Sequence, residues 1–385
     1  QGSDTYWMLK QTGNSLTLQR PNAPIDGNKG GTWKMLKDAV ADAADGDEII
    51  VKGELKATAA AGDNGAIVVT KQIAIAGEGA GAVLNANGVT GGKPAHRIFT
   101  VKSGAKLMLK NVALKGGVAE GGAEADKRGG GILVDGGALS LNGAKIEGSK
   151  AATSGGGIFV GEGGAVSMDG GEISGNAADV SGGAVQIARR GSIALKTGEI
   201  RANTANQSGG AVFVDALGSF EMAGGSIKDN TTVKAGSAIG KGAGIYVKGS
   251  ATVKGGRIEN NKAGVEGGVC KGLGGAVYVD GGAFRMTSAA TVVPSAAPDA
   301  QTVGFNDVYL KTGSVIEYER SVPRTDALAR ITPENFVSGT PLVKGLGSYE
   351  LEAADAARFT VTEDSGDAWT LKHSPHARAL ILKVG

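Results

Sequence analysis

A short glycine-rich motif followed by the three residues of a strand recurs through the middle of this chain. Its copies read GGGIFV, GGAVFV or a close variant. The copies start at Gly129, Gly155, Gly182, Gly209, Gly242 and Gly274. Successive starts are 26, 27, 27, 33 and 32 residues apart. A repeat of this length, built from short strands, is typical of a β-solenoid, in which each copy forms one coil that stacks on its neighbours.

Aligning the copies places apolar residues in columns. The positions of Ile158 and Val160 hold isoleucine or valine in all six copies. Since strand side chains alternate between faces, both columns point inward. A second strand contributes pairs such as Val166 and Met168, and a third contributes an isoleucine such as Ile173. The sequence therefore predicts an all-β parallel β-helix with three short strands per coil and a repeat of about 26 residues.

A polar column follows the third strand, three residues after its isoleucine. It begins with Ser149 and continues as asparagine. Stacked amide side chains can bond to the coils above and below them, and asparagine tolerates the left-handed backbone of a tight corner. We therefore predict a structural ladder of Asn176, Asn203, Asn230 and Asn261.

The two ends of the chain depart from the repeat. Thr32 can N-cap a helix from Trp33 to about Ala44, and its apolar stripe would cover the open end of the solenoid. After residue 320 the repeat is lost. We divide the chain into a β-hairpin (1–20), a linker with the capping helix (21–48), the β-helix (49–320) and a small C-terminal β cap (321–385).

Residues 6–20 resemble residues 368–384. YWMLKQTGNSLTLQR and AWTLKHSPHARALILKV share an aromatic residue or alanine before tryptophan, Leu-Lys, a turn and then Leu-x-Leu. The hypothesis is that residues 1–20 are the tail of a preceding, similar module, so that the full protein is a tandem array.

Composition and charge narrow the function classes. With 40 basic and 38 acidic residues, the net charge of +2 gives no reason to expect a nucleic acid or an anionic membrane surface as partner. No apolar run approaches the ~18 residues of a membrane span. Cys270 is the only cysteine, and His96, His373 and His376 have no companion set for zinc or a catalytic triad. We expect no metal and no cofactor.

Acidic residues do not form a convincing catalytic pair. Asp135 and Asp215 follow equivalent strands but lie three coils apart, roughly 14 Å at the strand spacing, which is too far for a glycosidase pair. We therefore assign no catalytic residue. Two acids from the long loops facing one cleft at the spacing of a glycosidase pair would instead favour an enzyme. The candidates for that role are Glu120, Glu124, Asp126 and Glu266.

One outward-facing column is apolar and aromatic. It contains Leu133 and Gln186, and its rings are expected to lie exposed, where they could stack on sugar rings or seat a partner strand. The alternative is mutual stacking that stabilises the sheet. Three long loops, 118–128, 231–241 and 262–273, leave one common corner beside it. The candidate ligand-binding residues are Phe159, Phe213, Tyr246 and Tyr278.

The repeat GGGIFV…GGAVSMDGGEISGN resembles the glycine-rich repeats of bacterial surface β-helix proteins, such as the passengers of polymorphic outer-membrane proteins and related spirochaete surface proteins. The segment from TWKMLKDAVADAADGDEIIV to NVALKGG is similar to the entry of a pectate-lyase-like right-handed β-helix. The resemblance covers roughly residues 32–320. It implies a right-handed parallel β-helix in an exported, adhesin-like protein, and no lyase or hydrolase motif matches.

These observations favour a non-enzymatic binding scaffold that is secreted or displayed on a bacterial cell surface, with a host protein or a glycan as partner. One alternative is a carbohydrate-active enzyme related to polysaccharide lyases or hydrolases. The other is a structural array or filament subunit that associates end to end or through tandem modules.

Overall fold

Short parallel strands stack coil upon coil along most of the chain. The computed structural model describes residues 8–12, 15–19, 23–79, 81–88, 95–233, 239–292, 304–323, 326–363 and 367–385. The fold is all-β, with 49% strand and 7% helix, and its parallel strands form a β-solenoid of about 10 turns. The predicted fold class is therefore confirmed.

The first of the three sheets of the solenoid contains the strand that follows each glycine motif. Its eleven parallel strands pair in order along the solenoid. They are Ile67–Val69, Phe99–Lys102, Ile132–Asp135, Ile158–Val160, Val185–Ile187, Val212–Val214, Ile245–Val247, Val277–Val279, Val308–Leu310, Ala329–Pro333 and Phe359–Val361.

The second sheet joins the other two predicted strands of each coil and has 21 strands. In two coils these strands run together as one ten-residue strand. Its members are Ile25–Asp26, Glu48–Lys52, Glu54–Lys56, Gln72–Gly77, Val83–Asn85, Lys106–Lys110, Ala113–Lys115, Ala138–Asn142, Lys145–Glu147, Ala165–Ser174, Ser192–Arg201, Ser219–Met222, Ser226–Lys228, Ser250–Val253, Gly256–Glu259, Ala283–Thr287, Ala290–Val292, Ile316–Glu319, Pro341–Gly345, Trp369–Ser374 and Ala379–Val384.

A third sheet of seven short strands was not predicted. It follows the polar corner, and all three long loops begin in it, which places them at one corner as expected. Residues 234–238 of the second loop lie outside the described part of the chain. The strands are Val118–Ala119, Lys150–Ala151, Ala177–Ala178, Thr204–Ala205, Thr231–Val233, Lys262–Glu266 and Val269–Cys270.

The predicted aliphatic columns form the core. Ile158, Val160, Met168 and Ile173 are fully buried, and so are most of their equivalents in neighbouring coils. Parallel pairing places Ile158 beside Val185 in register, so like residues stack on like. Burying each such side chain contributes about 1.5–3 kcal/mol to folding.

The asparagine ladder is confirmed. The Oδ1 atom of Asn203 accepts from the backbone N–H of Asn176 at 2.9 Å and from its Nδ2 at 3.0 Å. The Nδ2 atom of Asn203 donates to Oδ1 of Asn230 at 3.0 Å and to the carbonyl oxygen of Ile173 at 2.9 Å. These asparagines are almost completely buried, so each rung satisfies polar groups that water cannot reach.

The ladder extends one rung further than predicted. Asn261 donates its Nδ2 to Oδ1 of Asn306 at 3.1 Å. Asn306 lies 45 residues after Asn261, so no regular spacing revealed it.

The left-handed backbone of this corner lies one residue earlier than predicted. The residue before each rung from Ser149 to Asn261 adopts a φ between 53° and 62°, and the four predicted ladder asparagines do not adopt a positive φ. The chain therefore reverses before the rung, and the amide is left to bond along the solenoid axis. The left-handed residues are Gly148, Gly175, Ala202, Asp229 and Asn260. Asn306, the added rung, is itself left-handed with a φ of 45°.

The capping helix is confirmed and runs over Trp33–Asp42, two residues shorter than predicted. Thr32 accepts a hydrogen bond from the backbone N–H of Met35 at 3.2 Å. Trp33 and Leu36 are fully buried in the core, where the helix packs against the first strand of the first sheet. The helix therefore covers that sheet edge, where a solenoid would otherwise expose unpaired backbone.

Three short 3₁₀ helices complete the helical content of the described residues. They are Gly27–Lys29, Glu124–Lys127 and Ala353–Arg358. None of the helices in the described part of the chain has the length and apolar composition that crossing a membrane requires.

Parallel pairing continues beyond residue 320, where the sequence placed the start of the C-terminal cap. Val308–Leu310 pairs with Ala329–Pro333, which pairs with Phe359–Val361. Every residue of Ala329–Pro333 is buried. The repeat was not visible here because these coils lack the glycine motif. A hairpin of Trp369–Ser374 and Ala379–Val384 then closes the end by antiparallel pairing with Pro341–Gly345.

The predicted N-terminal hairpin is present. Met8–Thr12 pairs antiparallel with Ser15–Gln19, and the two form a sheet of their own. The domain boundaries and the preceding module remain predictions.

Candidate functional site

Four rings of the aromatic column form one continuous stack on the outer face of the first sheet. Ring centroids lie 4.8 Å apart between Phe213 and Tyr246, and 5.1 Å apart between Tyr246 and Tyr278. Tyr309 extends the stack at 5.0 Å from Tyr278. Neighbouring rings are within 6° of parallel. Their separation matches the distance between adjacent strands, because each ring is on the next strand of the sheet. Sequence reasoning missed Tyr309, although its strand has the same Val-Tyr-aliphatic pattern.

The expectation that this stack is exposed is wrong. Tyr246, Tyr278 and Tyr309 are between 3% and 8% exposed, and Phe213 is half-buried. Leu273 packs against the stack, and the ammonium of Lys241 lies 5.2 Å from the Tyr278 ring centroid. Residues from the corner before each strand thus cover the rings, so this part of the column stabilises the sheet.

The tyrosine hydroxyls remain protonated near neutral pH. Burial raises the pKa of Tyr278 and of Tyr309 to about 12 in each case. Burial also raises the pKa of Tyr246, which in addition donates a hydrogen bond to Asp280.

Asp280 ties the stack to the next coil. Its carboxylate accepts from the hydroxyl of Tyr246 and pairs with the ammonium of Lys311 at 2.8 Å. Burial alone would raise the pKa of Asp280, but the hydrogen bonds from Lys311 and Tyr246 outweigh it and hold that pKa below its ordinary value.

A lowered folded-state pKa makes the contribution of Asp280 to stability dependent on pH. The contribution is fully present above the unfolded-state pKa of about 3.9 and is lost as the pH falls through the lower folded-state value. We expect Asp280→Asn to lower the free energy of unfolding at pH 7, and the difference from wild type to shrink towards pH 3. Urea unfolding at both pH values measures it. A difference of equal size at both would contradict this account.

Phe159 belongs to a different part of the same column. Gln186 separates it from Phe213 in register. Phe159 is also buried rather than exposed as predicted, and together with Leu133 and Thr100, each only 7–8% exposed, it forms the floor of a groove of about 560 Å³. Val68, which is 50% exposed, lines the groove as well. Thr100 was not predicted to belong to this column, although FTVK aligns with the following strand ILVD.

Loop 118–128 forms one wall of this groove. Its 3₁₀ helix Glu124–Lys127 supplies Ala125 and Asp126 to the wall, and Arg128 follows. The guanidinium of Arg128 lies 5.2 Å from the Phe159 ring centroid, within the range of a cation–π contact. One of the three predicted long loops and one of the four predicted aromatic residues therefore meet here.

The groove carries charges of both signs. Four cations and four carboxylates line it, and Lys102 and Asp135 pair with each other at 2.8 Å. The eight residues are Arg97, Lys102, Arg128, Arg189, Asp126, Asp135, Glu162 and Asp215.

Arg97 is the most buried of these charges, with 9% of its surface exposed. It donates one hydrogen bond, from Nη2 to the carbonyl oxygen of Ala125 at 2.6 Å, which anchors the 3₁₀ helix of the loop. Burial lowers the pKa of Arg97, and the carboxylates of Asp126 and Asp135 oppose this effect.

A smaller cavity of about 290 Å³ adjoins the groove, and Arg97, Thr100 and Asp126 line both. His96 lines the smaller cavity, and its Nδ1 donates to the carbonyl oxygen of Arg97 at 2.7 Å. Burial lowers the pKa of His96, so its ring is neutral at pH 7. The Nε2 atom is buried and has no hydrogen-bond partner among the described residues.

The loop acids are dispersed. Glu124 pairs with Lys127 at 3.1 Å, and Glu266 pairs with Lys271 at 2.7 Å in a hairpin of the third sheet. Glu120 and Asp126 line the smaller cavity together. Within the described ranges, no group of three or more His, Cys, Asp or Glu side chains could hold a metal ion.

A further cavity of about 530 Å³ lies at the C-terminal end, between the segment Lys344 to Leu351 and the tip of the closing hairpin. His373 and Arg378 line it. It contains none of the residues predicted to bind a ligand.

Comparison with protein-family models, curated proteins and solved structures gives no match for this chain. The resemblance to exported surface proteins therefore remains a prediction, and the structure supports the coarser statement that the chain forms a β-solenoid of about 10 turns.

Proposed function

We propose that this protein is a non-enzymatic binding scaffold, secreted or displayed at a bacterial cell surface, and that the groove beside loop 118–128 holds its ligand. The observation that carries this proposal is the meeting of an apolar floor, Leu133 and Phe159, with a charged wall from loop 118–128. A volume of about 560 Å³ lies within the ~300–1,000 Å³ usual for binding sites.

The solenoid suits this role because it preorganises the floor. Leu133 and Phe159 belong to adjacent strands that pair in register, so the backbone hydrogen bonds of the sheet fix the positions of their side chains. A rigid floor lowers the entropy lost on binding. Loop 118–128 adds hydrogen-bonding groups, and substitutions in such a surface loop can change ligand specificity without disturbing the core.

The covered ends favour a scaffold over a filament built by stacking coils. The helix Trp33–Asp42 occupies one end, and the hairpin of Trp369–Ser374 and Ala379–Val384 closes the other. Tandem modules remain compatible with the separate pair of strands Met8–Thr12 and Ser15–Gln19.

The shared cavity of Glu120 and Asp126 is the one observation that favours the carbohydrate-active enzyme. Under the scaffold proposal, incubation with polygalacturonate, cellulose or xylan oligomers is expected to release no new reducing ends or unsaturated products. Cleavage that disappears in Asp126→Asn would establish the enzyme instead.

The scaffold proposal predicts unequal roles for two residues of one column. Phe159→Ala removes the aromatic ring from the groove floor, whereas Phe213→Ala removes a ring that lies outside the groove. On an array of glycans and extracellular-matrix proteins, we expect Phe159→Ala to weaken binding at least about tenfold, as for an aromatic residue central to an interface.

Phe213→Ala is the matched control, since it lies on the same face two strands away. It is expected to change thermal stability and leave binding within about twofold of wild type. Equal binding by wild type and both variants would rule out the groove as the site.

A further inference from the structure

The groove and the smaller cavity meet at two opposite charges that are not paired with each other. Arg97 and Asp126 line both spaces. Arg97 bonds to a backbone carbonyl oxygen, and no carboxylate among the described residues lies within ion-pair distance of it. The Asp126 side chain is exposed and accepts no hydrogen bond from the described residues. Two strong hydrogen-bonding groups are thus left available to a ligand.

These two groups make complementary demands. A guanidinium only donates hydrogen bonds, and a carboxylate only accepts them. A ligand that serves both must accept at one atom and donate at a neighbouring one. Adjacent hydroxyl groups do this, because each hydroxyl is both a donor and an acceptor.

Charged ligands fit this junction poorly. A carboxylate would satisfy Arg97 but would face Asp126 and Glu120 across the same cavity. An ammonium group would satisfy Asp126 but would lie beside Arg97. Like charges at close range in a partly buried site are unfavourable. His96, neutral and lining this cavity, adds no charge that would reverse the balance.

We propose that the junction of the groove and the smaller cavity binds an uncharged sugar residue through two adjacent hydroxyl groups, one accepting from Arg97 and the other donating to Asp126. The neighbouring sugar of the chain then packs on the floor at Phe159. This inference rests on the proposed function and narrows its ligand to neutral glycans.

The test compares three classes of tetrasaccharide on the full chain by calorimetry. The neutral probes are the tetramers of glucose, mannose and galactose, the acidic probe is tetragalacturonate and the cationic probe is the chitosan tetramer. We expect at least one neutral tetramer to bind about tenfold or more tightly than both charged probes, as for one lost charge-assisted hydrogen bond.

Asp126→Asn is expected to change the affinities for neutral and acidic probes in opposite directions, whereas a general loss of structure would weaken both. The exposed loop side chain can change without disturbing the core. The variant is expected to bind the neutral tetramer about tenfold more weakly and to bind tetragalacturonate more tightly than wild type does. Asp229→Asn is the matched control, because it removes the same charge from an exposed site that lines neither cavity, and it is expected to leave all affinities unchanged.

The outcomes separate this inference from the proposed function. Preference for a charged probe in wild type, or unchanged neutral binding in Asp126→Asn, overturns the neutral-sugar assignment. If no tetrasaccharide binds but a matrix protein binds in a manner that depends on Phe159, the neutral-sugar assignment is wrong and the groove is still the binding site. If the binding of no probe depends on Phe159, both the neutral-sugar assignment and the groove as binding site are wrong.

Discussion

Replacing Asn261 by alanine is expected to lower the free energy of unfolding by about 3–5 kcal/mol, because it removes a rung from a fully buried ladder. The variant leaves the backbone N–H of Asn230 without its acceptor and removes the side-chain donor to the carbonyl oxygen of Ile227. The Nδ2 of Asn230 loses one of its three acceptors and keeps the carbonyl oxygens of Ile200 and Lys228. The bond to Asn306 is lost as well. Each unsatisfied buried group costs about 1–3 kcal/mol. Urea unfolding followed by circular dichroism measures the change.

Asn260→Ala is the matched control for this prediction. Asn260 precedes the rung, is exposed and adopts a φ of 56°, and alanine already occupies the equivalent position at Ala202 with a φ of 53°. Its replacement is expected to cost no more than about 1 kcal/mol. If the two variants lose the same stability, the ladder is not a main source of stability.

Gly182→Ala is expected to destabilise the protein by about 2–5 kcal/mol, which explains why the first position of the motif is glycine in all six copies. Gly182 has a φ of +64°, which disfavours any side chain. A Cβ atom there would also lie 2.6 Å from the carbonyl oxygen of Val185 and 2.8 Å from the backbone nitrogen of Gln186. Both atoms belong to a buried strand that cannot move without breaking its pairing with the adjacent coils.

Gly148→Ala separates the two causes. Gly148 has a similar φ of +60°, but an added Cβ would meet no atom within 4 Å. The free energy of unfolding of this variant is expected to fall by only about 1 kcal/mol, which is the cost of placing alanine in the left-handed conformation. Thermal and urea unfolding of both variants provide the comparison. A loss for Gly148→Ala as large as that for Gly182→Ala would show that the close approach is unimportant.

The core and the ladder could be predicted because both depend on a local period. The alternation of Ile158 and Val160 sets the inward face, and the fixed interval from Ile173 to Asn176 sets the polar corner. The third sheet could not be predicted, since a strand as short as Ala177–Ala178 has no alternation to read. The later coils were missed because their lengths vary and the glycine motif is absent.

The candidate site was predictable in part. Phe159 and loop 118–128 were identified from their column and their spacing. The burial of Tyr246 and Tyr278 was not, because it depends on Lys241 and Leu273 from a different segment of the coil. Arg97 could not be identified either, since its role comes from where loop 118–128 folds back onto it rather than from a sequence motif.

The equal spacing of the asparagine ladder makes each central coil a repeat unit of the same length. From Asn176 to Asn203 and from Asn203 to Asn230 the bonded partners are each 27 residues apart, and the flanking bridges from Ser154 to Ser181 and on to Ser208 keep the same interval. Duplication or deletion of one such segment would rejoin identical partners and change the solenoid by a single step of about 4.8 Å. The protein can thus evolve a longer or shorter solenoid in discrete steps, and a step that includes Arg189 or Asp215 also changes the lining of the groove near Phe159.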